Sequence, residues 1–180
     1  MAAEQRTEAQ GMPAAERPRL PKDYGIHQDK EGLLNWAWVS RRLEAAQNYW
    51  LCTTRPDGAP HAMPVWAVWV DGALVFSTGK ASRKARNLAA DPRAVVHLES
   101  GDDAVMLEGT VEELNDATLA ARADAAYSAK YPDPQTGEGY HLPADCRGDN
   151  GLYALRPRVC HAWREATFPV SASRWRFDPA

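Results

Sequence analysis

A series of short β-like runs separated by tight-turn signals is the feature of the sequence that most constrains its fold. The turn signals are RPDG at 55–58, DG at 71–72 and GDD at 101–103. Proline, aspartate and glycine in such positions favour chain reversals between antiparallel strands. Parallel neighbours would need crossovers of about a dozen residues or more, and most connections here are too short for that. The sequence therefore predicts a mainly antiparallel sheet.

Seven strand-like runs and three helical runs follow from this pattern. We predict strands at 48–54, 60–70, 73–78, 93–99, 104–114, 151–163 and 171–177. We predict helices at 33–46, 82–90 and 116–131, the first from apolar residues spaced three and four apart. Closure into a barrel removes the unpaired edges of such a sheet. The predicted fold is therefore mainly β, a six- to seven-stranded antiparallel barrel with inserted helices.

Two residues inside the strand-like runs indicate irregular pairing. Pro64 has no N–H to give to a ladder, which predicts an edge position or a bulge. Gly109 predicts a bulge or a close approach of another backbone segment. Residues 1–21 are rich in Ala, Glu, Arg and Pro and are predicted to form a disordered tail. The rest, 22–180, is predicted to be a single domain, with no structure assigned to the loop 132–150.

Charge and cysteine usage exclude several classes of protein. The net charge is −3 and the isoelectric point is about 6.0, so no basic field favours nucleic acid or an anionic membrane. No apolar run approaches the length of a membrane span, and no secretory signal pattern begins the chain. Cys52, Cys146 and Cys160 are odd in number and widely spaced, which fits neither a disulfide framework nor a zinc site. We therefore expect a cytoplasmic protein with reduced thiols and without a metal.

The segment FSTGKASRKARNLAAD at 76–91 carries the clearest chemical signal. A strand ends in two hydroxyls and a glycine, and a basic cluster follows where a helix begins. Hydroxyls, cations and the free N–H groups of a helix start are what a phosphate group needs. The candidate phosphate ligands are Ser77, Thr78, Lys80, Ser82, Arg83 and Lys84. Ser82 is predicted to cap this helix, and Asn87 is assigned to its surface. The alternative to a phosphate site is a capped, solvated surface helix whose charges face water.

The aromatic residues and histidines have both functional and structural interpretations. Trp36, Trp38 and Trp50 are assigned to core or helix–barrel packing. Candidates for an outward dimer surface are Trp66, Trp69 and Trp163, and the first and last of these are also candidate cofactor-wall residues. No two histidines share a metal-ligand spacing. His97 is assigned to the sheet, and His61 is either a strand-end residue or a proton donor.

Segments 48–114 and 151–177 resemble the split β-barrel flavin and deazaflavin oxidoreductases, the superfamily of pyridoxamine 5′-phosphate oxidase. The strongest parts of the resemblance are FSTGKASRKARNLAADPRAVVHLE and LEGTVEEL. The C-terminal segments YALRPRVCHAW and SRWRF resemble the closing strands of that family. Within the superfamily, SRKARNLAADPR is most similar to the branch that uses coenzyme F420.

The resemblance implies a split barrel that forms a homodimer with its cofactor in the groove between the subunits. The strand Met63-Pro64-Val65-Trp66 would lie along the isoalloxazine edge. Ser77 and Thr78 would lie beside the ribityl chain and phosphate, with Arg83 and Lys84 as the phosphate clamp. Lys80 would reach the phosphate or the acidic tail of F420. The second subunit would contribute the distal contacts Trp163 and Arg174.

Two departures from the oxidase pattern bear on the substrate. Ala104 stands where the oxidase has a glutamine, and the helix LAARADAAYSAKY lacks the Arg-then-Ser spacing that reads the substrate phosphate. The resemblance therefore implies hydride transfer between F420 and a small conjugated organic substrate, not oxidation of pyridoxamine phosphate. Two alternatives stay open. One is an FMN-dependent oxidoreductase of the pyridoxamine-phosphate-oxidase type, and the other is a non-catalytic cofactor or haem binder.

Overall fold

The computed structural model describes residues 13–143 and 148–177, so the predicted features at 1–12 and Cys146 lie outside the described residues. One antiparallel sheet contains the strands β1 Tyr49–Thr54, β2 Pro60–Val65, β3 Ala67–Val70, β4 Ala73–Gly79, β5 Arg93–His97, β6 Asp103–Glu113, β7 Asn150–Arg164 and β8 Ser173–Arg176. The helices are α1 Trp36–Ala45, α2 Arg83–Ala90, α3 Ala117–Lys130 and α4 Phe168–Ser171. Short 3-10 turns occupy Lys22–Tyr24 and Glu165–Thr167.

The sheet is curled so that its two end strands, β2 and β3, come together at Trp66 without pairing to each other. Its strand order is β2-β1-β5-β6-β7-β4-β3, with β8 added against β7. Laid flat, β2 and β3 would be six inter-strand steps apart, or roughly 29 Å. Yet only Trp66 separates them in the chain. Because one residue cannot span that distance, the sheet must close on itself, which confirms the predicted barrel.

The continuous strand predicted over 60–70 is wrong at one residue, since Trp66 divides it into β2 and β3. Pro64 lies on β2, which is at the end of the strand order and pairs only with β1, so the predicted edge position is confirmed. At Gly109 the register between β6 and β7 shifts. A Cβ atom there would lie 2.1 Å from the Arg156 carbonyl oxygen. The bulge and the close backbone approach are therefore both present.

Helix boundaries follow local capping. The first helix begins at Trp36 and not at Leu33, because the Asn35 side chain accepts from the Trp38 N–H and caps it. The last predicted strand, 171–177, is partly wrong because α4 precedes β8. Pro169 fits the first turn of α4, where a missing N–H costs no hydrogen bond.

The core is a layer of side chains in register across five strands. Paired neighbours run across β1, β5, β6, β7 and β8, and all are at most 1% exposed: Leu51, Val96, Leu107, Cys160 and Trp175. Because side chains alternate between faces, the residues one position away lie on the outer face, each of them half-buried: Trp50, His97, Met106, His161 and Arg174. Placing Trp50 in the core was therefore wrong, and its ring stacks on His97 outside the barrel.

Helix α1 packs against the layer through buried Trp36 and Trp38, as predicted. Trp36 also meets Trp69, with ring centroids 6.1 Å apart. The half-buried Trp69 therefore packs against the core cluster, and the expectation of an outward-facing side chain is wrong for this residue.

The described part of the predicted disordered tail, residues 13–21, lies against β8. Glu16 pairs with Arg174 in an antiparallel bridge, and the Glu16 carboxylate accepts from Arg174 Nε at 3.0 Å. The Arg17 guanidinium donates to the carbonyls of Val170 and Ala172. These contacts hold the segment beside the last strand. Among the described residues, the helices are too short or too polar to cross a lipid bilayer.

Candidate functional site

The start of α2 gathers hydroxyl groups beside free helix N–H groups. Ser82 caps the helix as predicted, since its Oγ accepts from the Ala85 N–H at 3.2 Å. The Thr78 Oγ1, at the end of β4, lies 3.3 Å from the Ser82 Oγ. Ser77 is the neighbouring residue on β4, so its side chain leaves the opposite face of the strand. The structure therefore brings Thr78, and not Ser77, to the helix cap.

Four cations lie near this cap, and they differ in their partners. Arg83 is exposed and Lys84 is half-buried, and neither has a hydrogen-bond or ion-pair partner within the described chain. The Arg86 guanidinium donates to the Ala81 carbonyl at 2.6 Å. Lys80 Nζ lies 3.6 Å from Glu113 Oε1. Arg83 and Lys84 are therefore the two cations whose charge is open to an incoming anion.

A buried polar bridge connects α2 to β1 and β2. Asn87 Nδ2 donates to Thr53 Oγ1 at 3.0 Å, and that hydroxyl lies 3.4 Å from His61 Nδ1. Asn87 is fully buried, so assigning it to the helix surface was wrong. Its Oδ1 has no hydrogen-bond partner in the described structure. An asparagine in a helix interior is intrinsically unfavourable. Its presence in the middle of this predicted helix could have indicated that its side chain has a specific hydrogen-bond partner.

Strand β2 presents an open edge beside this bridge. It pairs with β1 on one side only, so the backbone groups on its other side are not used by the sheet. Met63, Pro64 and Trp66 are exposed, whereas the Val65 side chain points into the core. Of the four predicted ring contacts, Val65 can therefore contribute only its backbone.

Trp163 and Arg174 lie elsewhere on the same chain. Thr78 is opposite Gly151 at the start of β7, and Trp163 is twelve residues further along that strand. Twelve residues of extended strand measure roughly 40 Å. Arg174 is opposite His161, close to Trp163. One chain therefore does not bring these two residues to the α2 cap, and the prediction that they come from a second subunit stays a prediction.

The surroundings of Trp163 form a mostly apolar cavity of about 620 Å³. Its lining includes Leu20, Tyr24, Met106, His161 and Phe168. The Trp163 ring packs edge-on against Phe168, and its buried Nε1 has no partner in the described residues. Burial lowers the pKa of His161, the Glu108 charge opposes this, and the Arg174 charge adds to it. His161 is therefore biased towards its neutral form.

A second cavity, of about 660 Å³, is an open groove on the outer face of the sheet. Cys52, Val95, Glu108 and Arg158 are among its lining residues. Burial raises the pKa of the Cys52 thiol, so this cysteine is not an activated nucleophile. Within residues 13–143 and 148–177, no group of three or more His, Cys, Asp or Glu side chains is placed to hold a metal ion.

The sequence matches a known family. The family model for pyridoxamine 5′-phosphate oxidase matches residues 39–144, more than half of the chain. The chain belongs to the pyridoxamine 5′-phosphate oxidase family, and the resemblance seen in the sequence is confirmed. No curated protein matches the sequence.

Solved structures agree on the fold. A conserved hypothetical protein from Mycobacterium tuberculosis is similar with a TM-score of 0.61 and 24% identity, over 78% of this chain and 91% of that one. An F420 reductase is similar with a TM-score of 0.50 and 24% identity, over 67% of this chain and 94% of that one. A heme binding protein from Mycobacterium smegmatis is similar with a TM-score of 0.55 and 25% identity, over 72% of this chain and 54% of that one. These similarities confirm the split-barrel fold.

Proposed function

We propose that the protein is an F420-dependent oxidoreductase that passes a hydride between the deazaflavin and a small conjugated organic substrate. The observation that carries this proposal is the pair Arg83 and Lys84, unpartnered among the described residues at the start of α2. The pair lies beside the hydroxyls of Thr78 and Ser82. Family membership supports a cofactor with a ring and a phosphate at this place.

The donor set fits a phosphate. The phosphodiester anion of F420 only accepts hydrogen bonds, and this site offers hydroxyls, helix N–H groups, one guanidinium and one ammonium. The guanidinium of Arg83 can hold two oxygens at once, and Lys84 adds a point charge. Ser77 would meet the ribityl chain from the other face of β4. Lys80, already near Glu113, would make a smaller contribution.

The open edge of β2 fits the polar rim of a flat ring. Backbone N–H and C=O groups along Met63–Trp66 lie at the edge of the sheet, where a ring can be bound in the plane of the strand. N–H groups aimed at the pyrimidine end would stabilise negative charge there. When bound, the deazaflavin supplies the hydride chemistry, and the protein supplies position and electrostatics.

His61 is the proposed proton donor. Its Nδ1 lies 3.4 Å from the Thr53 hydroxyl, which Asn87 holds in turn. This bridge restrains the imidazole on β2, and Nε2 has no partner within the described chain. The restrained ring would hold a proton at Nε2 for transfer to the substrate.

A homodimer would complete the site. Trp163 and Arg174 are roughly 40 Å along β7 from the phosphate end, so a second copy would have to bring them to the cofactor. The Arg174 guanidinium is engaged by Glu16 at 3.0 Å. Contact between Arg174 and a cofactor would therefore require that this ion pair be shared or opened.

Three cofactors are candidates for this site: F420, FMN and haem. SRKARNLAADPR resembles the F420-using branch, and an F420 reductase shares the fold. FMN carries a ring and a phosphate as well. The similarity to a heme binding protein supports haem as a second candidate, at 25% identity.

A spectral titration of the purified full-length protein with F420, FMN and haemin tests the assignment. We expect saturable F420 binding at one molecule per subunit of a dimer, and weaker binding of FMN and haemin. Tighter binding of FMN would transfer the proposal to a flavin enzyme. Tight haemin binding without F420 binding would replace it with a haem protein.

A further inference from the structure

An aromatic surface lies where β2 passes into β3. The Trp66 side chain is 45% exposed although it is large and apolar. Its indole stacks flat on the Tyr131 ring, with centroids 4.7 Å apart and an interplanar angle of 5°. Tyr140, 40% exposed, lies against the same indole at 5.7 Å. We call Trp66, Tyr131 and Tyr140 the aromatic shelf.

The backbone beside the shelf is held firmly from behind. Tyr131 is buried, and its hydroxyl accepts from the Ala67 N–H at 3.0 Å. The same hydroxyl lies 2.9 Å from each of two carbonyl oxygens, those of Gln47 and Ala67. Lys130 Nζ donates to the Ala67 carbonyl at 3.3 Å and to the Tyr49 hydroxyl at 2.7 Å. Two side chains from the end of α3 therefore fix the residue that follows Trp66.

The loop that carries Tyr140 is anchored to the same helix end. The Tyr140 N–H donates to the Tyr131 carbonyl at 2.9 Å. The Tyr140 hydroxyl bonds to the Asp133 carboxylate, which also accepts from the N–H groups of Gln135 and Thr136. Ligand-binding grooves are one cause of clustered exposed apolar side chains, and here Trp66 and Tyr140 present exposed ring surface beside the buried Tyr131. Here the rings are placed before any ligand arrives.

We propose that the aromatic shelf binds the substrate, and that the substrate is a flat conjugated ring system without a phosphate group. The proposal rests on the proposed function, which places the cofactor ring along β2 next to Trp66. Lys130, the cation at this end of α3, is turned inward to Tyr49 and Ala67. Within residues 13–143 and 148–177, the shelf therefore offers exposed ring surface from Trp66 and Tyr140, and the Lys130 ammonium group is directed away from it.

Trp66 variants and the probe menadione (2-methyl-1,4-naphthoquinone) test this proposal. Trp66→Leu keeps an apolar side chain but removes the flat face, whereas Trp66→Phe keeps a flat ring. Menadione affinity is measured by calorimetry on the full-length protein, with and without F420. We expect Trp66→Leu to weaken menadione binding roughly 5- to 10-fold and Trp66→Phe to stay within about threefold of wild type. With F420 bound, pyridoxamine 5′-phosphate should bind more weakly than menadione.

Each outcome decides the proposal. Equal menadione affinity of Trp66→Leu and wild type would overturn it, as would tighter binding of pyridoxamine 5′-phosphate than of menadione to the F420-saturated protein, whose Arg83 and Lys84 clamp is already occupied. Conversion of Trp66→Leu to a monomer in sedimentation experiments would assign the shelf to a subunit interface and overturn it too. The F420 titration of the wild-type protein tests the cofactor assignment independently of the Trp66 variants. If F420 fails to bind while menadione binding still depends on Trp66, the shelf stands as a ring-binding surface and the cofactor assignment falls.

Discussion

The cap of α2 and the aromatic shelf at the end of α3 differ in almost every physical respect. The cap is polar and cationic, and it is built from residues close together in the chain, Thr78 to Lys84. The shelf is apolar, and it joins Trp66 to Tyr131 and Tyr140 from distant parts of the chain. The cap matches a phosphate and the shelf matches a flat ring. If both proposals hold, charge anchors the phosphate group at the cap and stacking selects the flat ring at the shelf.

Removing Arg83 and Lys84, the two cations near the cap without a partner among the described residues, should produce the largest effect. Arg83→Ala/Lys84→Ala loses two charge-assisted contacts, so F420 affinity should fall about 100-fold or more. Fluorescence titration measures this. Arg86→Ala is the matched control, since it removes one charge from the same helix but from a group bonded to the Ala81 carbonyl. Menadione affinity should not change, and unchanged F420 affinity in the double variant would rule out the clamp.

Removing the buried bridge between Asn87 and Thr53 should have the next largest effect, on stability. Asn87→Ala leaves the Thr53 hydroxyl without its donor in a buried position, which should cost about 1–3 kcal/mol of unfolding free energy. Urea denaturation measures this cost. Asn115→Ala is the control, because the exposed Asn115 side chain bonds, within the described chain, only to the nearby Glu113 carbonyl. Equal stability of the two variants would show that Asn87 does not hold α2 to the barrel.

Removing the Tyr131 hydroxyl, which supports the aromatic shelf, should lower stability slightly less. Tyr131→Phe keeps the ring under Trp66 but removes the hydroxyl that accepts from the Ala67 N–H. We expect a loss of about 1–2 kcal/mol in unfolding free energy. Tyr127→Phe is the matched control. The half-buried Tyr127 ring packs on Tyr131, and its hydroxyl makes no hydrogen bond within the described chain. A larger loss in the control would place the support elsewhere in the aromatic cluster.

The smallest effect should be a dependence of stability on pH. Burial lowers the pKa of Lys130 from 10.5 to about 8, against a raising effect of Glu44. Between pH 8 and the ordinary value the unfolded chain binds more protons, so stability contributed by this group rises with pH. Wild type should gain stability relative to Lys130→Met between pH 8 and 9.5, below the ordinary tyrosine range. Parallel stability curves in denaturant titrations would contradict this.

The parts of the molecule that sequence reasoning recovered are local or follow a simple period. The cap at Ser82, the edge position of Pro64 and the bulge at Gly109 each depend on the backbone chemistry of one residue. The first helix follows from apolar residues spaced three and four apart. Asn87 was misplaced because its burial depends on Thr53, 34 residues away. Trp50 was misplaced because alternation does not say which face of a closed sheet is inside.

The sequence by itself determined the antiparallel strands, the capped basic helix and the family, because turns, caps and motifs are encoded by neighbouring residues. Only the tertiary structure decided that the barrel closes at Trp66, that Lys80 lies near Glu113, and that three aromatic rings from distant segments meet. These outcomes depend on which remote segments pack together. A contact across 60 or more residues, such as Ala67 with Tyr131, leaves no local pattern in the chain.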